Sequence, residues 1–286
     1  MTPSSPTFAL ALGGGGARGL AHIHVIETLD ELGIRPVAVA GSSIGGIMGA
    51  ALAAGMSGRD IHDYARSILG RPAAVAGRIW GTRPTTVADV LERGLRISQF
   101  DLERILRAFL PPQVPARFED LTIPLSVVAT DYFGHREQII REGDLISALS
   151  ASAAIPAVFR PVMREDRLLI DGGIINPVPF GLLRGTADHV IAVDVVGAPE
   201  PSPTRRLNSI DLLFGASQLM MQALIAEKLG RERPDILVRP PHSRFRALDF
   251  LKIDAVLAES VGIKEDLKRA LDALLSGRAA QSPRPA

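Results

Sequence analysis

The chain has 286 residues, of which 47% are hydrophobic and 22% charged, and 32 Lys and Arg stand against 31 Asp and Glu for a formal net charge of +1. This is globular composition with enough apolar residues for a sizeable core, which excludes disorder over most of the length, and near-neutrality argues against a broad nucleic-acid footprint. The absence of cysteine removes disulfides, thiol nucleophiles and Cys-ligated zinc, so covalent chemistry here falls to a hydroxyl, an amine or a carboxylate.

The N-terminal stretch has no cationic region and only five apolar residues in a row before glycine takes over, so no signal peptide is expected. The other long apolar run, residues 44–54, is broken by Gly45, Gly46 and Gly49 and falls far short of the ~20 residues that span a bilayer. The expectation is a soluble, cytoplasmic protein, with peripheral membrane contact left open.

From Thr7 onward apolar runs alternate with helical periodicity, the pattern of an α/β fold around a largely parallel sheet. Phe8–Leu12 reads as a buried strand, followed by a glycine loop over 13–16 and a helix over 20–32, in which Val25, Ile26, Leu29 and Leu32 share a stripe and Gly33 ends it. A second strand over 37–40 turns sharply at Gly41 into the Ala- and Gly-rich helix 44–54. Ser57 is the expected N-cap of a helix running to Leu69, with Asp60 as its capping-box partner. Residues 70–94, punctuated by Pro72, Gly77, Gly81 and Pro84, read as an irregular or lid-like insertion that carries the only tryptophan, Trp80. A helix over 99–110 and strands over 125–130 and 138–140 come next. A helix over 144–154, strands over 162–164 and 168–170, and an apolar strand over 190–195 complete this part. The reading then predicts a proline-containing linker over 197–206, a long helix over 209–230, a strand at Ile236–Val238, a final helix over 253–275 and a frayed tail. In domain terms this is a core over 7–196, a linker over 197–206, a helical extension over 207–276 packing on the same domain, and a flexible tail over 277–286.

Gly41-Ser42-Ser43-Ile44-Gly45 matches G-x-S-x-G between a predicted strand and a predicted helix, the context that a nucleophile elbow requires. Such a turn presents the Ser43 hydroxyl at a helix N-terminus, where the dipole favours negative charge. A plain flexible strand-to-helix turn is the competing reading of the pentapeptide. Gly13-Gly14-Gly15-Gly16-Ala17-Arg18-Gly19 follows the first strand. Gly14, Gly16 and Gly19 have the spacing of a dinucleotide fingerprint, yet the second strand ends in Gly41-Ser42 with no acid for a ribose, and no Gly-Lys-Ser/Thr follows for a P-loop. An oxyanion hole built from exposed backbone N–H groups and a tight strand-to-helix turn both remain.

Six histidines, His22, His24, His62, His135, His189 and His242, leave a Ser-His-Asp triad open by count, but none falls in a loop after a strand with a suitable partner. His22 lies nearest the glycine loop and reads as a packed or helix-capping residue; His62 and His189 read as structural. Asp171-Gly172-Gly173 ends an apolar strand and is followed by Ile174-Ile175-Asn176-Pro177-Val178-Pro179, which favours a buried functional position over an exposed Asp-Gly turn.

The glycine loop after the first strand, GSSIG after the second, and DGG about 130 residues later together resemble the patatin-like phospholipase family. Ala151-Ser152-Ala153-Ala154-Ile155-Pro156 with Phe159 and Pro161, and Asn176-Pro177-Val178-Pro179, support the resemblance, which covers about residues 8–196 with a weaker echo at 234–237. It implies a three-layer α/β/α sandwich with a central, mostly parallel sheet. It also implies a Ser-Asp dyad without histidine, with Ser43 as nucleophile and Asp171 as base, and oxyanion N–H groups from Gly14, Gly15 and Gly16. Arg18 matches the basic position of the loop and, with Gly19, Gly41, Gly45, Gly172 and Gly173, supports loop and elbow. The resemblance further implies a lipid or other acyl-ester substrate, no metal, no cofactor and no nucleic acid, with transient membrane-surface contact and a homo-oligomer left open. A catalytically idle scaffold binding a lipid or a protein through the same pocket is the alternative, and a nucleotide-binding α/β protein a further rival. Substrate choice is expected to sit in residues 70–94 and in the helix over 209–230. That helix carries Leu212, Leu213, Phe214, Leu219, Met220, Met221, Leu224 and Ile225; core or dimer packing is one reading of it and docking on a lipid surface another.

Overall fold

The computed structural model describes residues 5–81, 100–201, 208–241 and 244–277. Residues 82–94 of the expected insertion, 202–206 of the expected linker, His242 and the tail from residue 278 lie outside the described residues.

The chain runs from β1 (Phe8–Leu12) through a 3-10 turn (Gly16–Ala21) into α1 (His22–Glu31), then β2 (Ala38–Ser42), α2 (Ile44–Ala53), α3 (Gly58–Leu69) and α4 (Pro72–Gly81). After α5 (Leu102–Phe109) come β3 (Leu125–Asp131), β4 (Arg136–Ile140), α6 (Leu145–Ser152), β5 (Val162–Arg164), β6 (Arg167–Asp171) and β7 (His189–Val193). The remaining elements are α7 (Ser209–Arg231), β8 (Ile236–Val238), α8 (Ile253–Ser260) and α9 (Ile263–Leu275).

Five strands, in the order β8-β7-β1-β2-β3, are parallel, and β4, β6 and β5 join antiparallel. Along β1 the side chains alternate between two cores. Phe8, Leu10 and Leu12 enter a large cluster with α1, α2, α6, α8 and α9, while Ala9 and Ala11 enter a smaller one with Phe180, Leu183 and Ile225 of α7. The second face is lined mainly by alanines, Ala9, Ala11, Ala40 and Ala192, so a short 3-10 turn (Phe180–Leu183) and α7 can approach it closely. Helices on both faces of a mostly parallel sheet make the three-layer α/β/α sandwich expected from the sequence.

The register of β3 positions the site. Ser42 of β2 pairs with Val128, and Asp171 of β6 pairs with the next residue, Ala129. Because β4 pairs with β3 across both of these registers, β2 and β6 share the opposite edge of β3 and meet there end to end.

Two expectations change. Residues 72–81 are helix rather than irregular chain: Pro72 sits at the first helical position, where its missing N–H costs nothing. The expected single helix over 253–275 is broken into α8 and α9 at Val261 and Gly262. The Leu257 carbonyl, which would accept from Val261 in a continuous helix, is taken by His24 Nε2 at 2.9 Å, and Ser260 Oγ bonds back to Val256 O at 2.8 Å. The capping box at Ser57 and Asp60 forms as expected.

Candidate active site

Ser43 caps α2 at φ 54° and ψ −126°, a left-handed conformation unfavourable to a residue with a side chain. The strain is held by packing on every side. The first turn of α2 lies on the end of β1 so closely that a Cβ on Gly45 would stand 2.0 Å from Leu12 O. The Ser43 N–H donates to Ser152 Oγ at 2.8 Å, and that hydroxyl donates in turn to Val128 O at 2.5 Å. Gly41, in β2 below the turn, lies against Gly45 and Gly46.

The Ser43 hydroxyl donates to Asp171 Oδ2 at 2.7 Å, and both residues are buried. The other carboxylate oxygen, Oδ1, accepts from Gly173 N–H at 2.7 Å. Asp171 N–H donates to Ala154 O at 3.1 Å, and its carbonyl accepts from Thr130 Oγ1 at 2.8 Å. The end of α6 therefore orients both partners, Ser43 through Ser152 and Asp171 through Ala154. Burial pushes the Asp171 carboxyl up to about 6, against the lowering effect of its bonds from Ser43 and Gly173.

Parallel pairing of Leu12 with Gly41 carries the glycine loop to the same end of the sheet as the elbow, and Gly14 packs against Ser43 Cβ. The loop's N–H groups divide into two sets. Gly13 donates to Val193 O at 2.9 Å and Gly14 to Pro177 O at 2.9 Å, so Gly14 holds the loop rather than offering a free donor. Among the described residues, the N–H groups of Gly15 and Gly16 meet no acceptor. Gly16 has φ 60°, and its Cα lies against the Ala247 backbone, two conditions that only glycine meets without strain. Gly19 packs on Ile44 at the start of α2, and Gly172 on the Val128 carbonyl and Ser42 Oγ.

Arg18, expected to support the loop, lies buried under it, where Nη1 donates to Phe245 O at 2.7 Å and Nε to Val195 O at 3.2 Å. Burial lowers its pKa to about 10, with Asp194 and Asp249 opposing the shift, so it stays charged at neutral pH and braces the loop from below.

Among the described histidines none bonds to Ser43 or Asp171. His22 is fully buried, bonds through Nε2 to Gly13 O at 2.9 Å, and is lowered by burial to about 4. It is therefore a neutral imidazole fixing the base of the glycine loop. His24 and His62 both bond to Glu27, at 3.2 and 2.9 Å, and His189 packs on Phe8 and faces Asp235. Among the described residues no group of three His, Asp or Glu side chains is arranged to hold a metal ion, and no helix is long and apolar enough to cross a membrane.

The structure brings Ser43, Asp171 and the glycines expected from the sequence into one cluster. Ser152 has no role in the sequence reading; its only signal there is a hydroxyl in the otherwise apolar stretch 151–156.

The profile described as Patatin-like phospholipase matches residues 10–184. The uncharacterized NTE family protein Rv1063c of Mycobacterium tuberculosis is 39% identical over 204 residues, covering 71% of this chain and 52% of the relative. Patatin-like phospholipase domain-containing protein 6 of Homo sapiens is 32% identical over 277 residues, covering 87% of this chain and 19% of the relative. The chain thus spans about half the length of the mycobacterial relative and a smaller part of the human one. Among solved structures, VipD from Legionella pneumophila aligns with a TM-score of 0.43 at 17% identity, covering 90% of this chain and 67% of its own. With a family profile matching more than half of its length, the chain belongs to the patatin-like phospholipase family.

Proposed function

We propose that the protein is a serine acyl hydrolase that cleaves acyl esters of lipids through Ser43 and Asp171. The observation that carries this reading is the 2.7 Å bond from the Ser43 hydroxyl to a buried carboxylate, made by a strained serine at a helix N-terminus. As Ser43 Oγ attacks the ester carbonyl carbon, its proton passes to Asp171 Oδ2. Negative charge gathers on the carbonyl oxygen, where the free N–H groups of Gly15 and Gly16 and the positive end of α2 stabilise it. Collapse breaks the carbon–oxygen bond of the ester, and the alcohol leaves with the proton held by Asp171, giving acyl-Ser43. A water then gives its proton to Asp171 and attacks the acyl carbon; Ser43 departs, takes the proton back, and the fatty acid is released. Two side chains and one shuttled proton complete the cycle, which calls for no metal and no cofactor.

The test is substitution with the fold monitored. Ser43→Ala and Asp171→Asn should each lower hydrolysis of an acyl ester by roughly three to four orders of magnitude while leaving the circular dichroism spectrum unchanged. A fluorophosphonate should label the wild type and not Ser43→Ala. Near-wild-type turnover by folded Ser43→Ala protein would sink the mechanism, and labelling without turnover on any ester would favour the idle scaffold.

A further inference from the structure

Among the described residues, helix α7 is attached to the protein along one side only. At 100° per residue Gln218, Met221, Gln222, Ile225 and Lys228 fall on one face. Gln218 Nε2 donates to Val196 O and Gln222 Nε2 to Gly197 O, each at 3.1 Å, and Ile225 is buried. Lys228 Nζ donates to Asn176 Oδ1 at 3.0 Å and to Val178 O at 3.1 Å. The opposite face carries Leu212, Leu213, Leu219, Met220 and Leu224, which are 57, 58, 59, 67 and 41% exposed. Between Asp211 and Glu227 the helix has no charged residue. A surface helix ordinarily turns charge outward and leucine inward; here the polar glutamines point in and the leucines point out.

Position ties this helix to the candidate site. Met221 Sδ lies 3.3 Å from where a Cβ on Gly173 would stand, and Gly173 is the residue whose N–H donates to Asp171. Ile174 of the same turn is 41% exposed. Through Met221 the helix therefore packs on the turn that carries Asp171, with its apolar face turned outward beside that turn.

The size of the patch decides what covers it. Five side chains at these exposures present roughly 500 Å² of apolar surface, at the upper end for a monomer, and a stable protein interface needs about 800 Å² from each partner. A single convex helix falls short of a dimer interface, while a fluid lipid surface accepts a convex ridge without shape complementarity. The charges that flank the face, Asp211 beside Arg246 and Glu227 beside Arg231, stand at the two ends of the apolar segment, as in a helix lying in the interface plane.

We propose that the exposed face of α7 docks the protein on a phospholipid surface and so brings lipid acyl esters to Ser43. The proposal rests on the hydrolase reading and names where that reaction takes place. Since the described residues of the face hold no basic cluster, docking is driven by apolar burial and is largely insensitive to salt and to the anionic lipid content.

Flotation of the full chain with phosphatidylcholine vesicles, with and without added phosphatidylserine, tests it. The wild type should float with both, and the double variant Leu219→Glu, Met220→Glu should lose about tenfold in bound fraction and in hydrolysis of vesicle phospholipid. Its turnover of water-soluble p-nitrophenyl butyrate should stay unchanged. A wild type that fails to float, a variant that floats equally well, or loss of soluble-ester turnover in the variant would overturn the proposal. A wild-type dimer in light scattering that the variant dissolves would overturn it as well, by placing a second copy on the face. Ser43→Ala should float as the wild type does; residual hydrolysis in that protein would count against the dyad and leave docking supported.

Discussion

Asp171 is held by four hydrogen bonds, two to its carboxylate from Ser43 and Gly173 and two through its backbone to Ala154 and Thr130. A carboxylate at its ordinary pKa is a poor base for a hydroxyl, and burial corrects part of this by raising Asp171 to about 6. In the proposed mechanism only the ionised form can take the proton of Ser43, so kcat/KM should fall about tenfold per pH unit below the Asp171 pKa and level off above it. A pH–rate profile on a soluble ester checks this, and a limb with no inflection between about pH 5 and pH 7 would remove Asp171 as the base. The same shift affects stability with a definite sign. Since the folded pKa lies above the unfolded one, the native state holds a proton that the unfolded chain has released between about pH 4 and pH 6. Stability is therefore full below that window and falls as pH rises through it, by about 3 kcal/mol for a shift of about two units. Asp171→Asn cannot ionise, so urea unfolding should find it more stable than the wild type at about pH 7.5 and no more stable at about pH 4. Equal midpoints at both pH values would show that the buried charge carries no such cost.

At the scale of elements, what can be read from the chain is what local chemistry dictates. The alternation of Phe8, Leu10 and Leu12 with Ala9 and Ala11 marks a strand between two cores, and Ser57 with Asp60 marks a helix start. The elbow is visible because its strained serine and close helix approach require glycine on both sides. What cannot be read depends on partners far along the chain. The break between α8 and α9 follows from His24 taking the Leu257 carbonyl across 233 residues. Gly14 is spent as a donor because Pro177 O lies above it, and Ser152 matters only because Val128 and Ser43 flank its hydroxyl. Two glycines that look alike in the sequence separate local from distant demands. Gly33 has φ 65° with nothing within 4 Å of an added methyl, whereas such a methyl on Gly45 meets Leu12 O at 2.0 Å. Gly33→Ala should cost about 1 kcal/mol of left-handed strain. Gly45→Ala should cost more than about 3 kcal/mol or prevent folding, since α2 cannot retreat from β1 without moving Ser43. Thermal unfolding of the pair checks the contrast, and similar melting points would show that the elbow has slack.

Across the whole molecule, the glycine loop depends on chain that lies more than 170 residues away. Arg18 reaches Val195 O across 177 residues and Phe245 O across 227, while Ala17 N–H donates to Ala247 O at 2.7 Å. Segment 244–249 thereby backs the glycine loop, so the C-terminal third of the chain takes part in holding the end of the sheet that carries Ser43 and Asp171. Asp194, at the end of β7, sits between the field of Arg18 and a 2.9 Å bond from Arg239, which keeps this buried junction close to charge balance. Arg18→Met preserves length and apolar contact but leaves two buried carbonyls without a charged donor and Asp194 with one cation fewer. Lost charge-assisted bonds of this kind cost about 1.5–3 kcal/mol each, partly recovered by the smaller desolvation of methionine, so a net loss of roughly 2–4 kcal/mol is expected in urea unfolding. Because the loop would also lose its brace, fluorophosphonate labelling of Ser43 should slow in the folded variant at low denaturant. A variant that unfolds at the wild-type midpoint and is labelled at the wild-type rate would show that the loop is held by its own turn geometry, and that the distant segment merely lies against it.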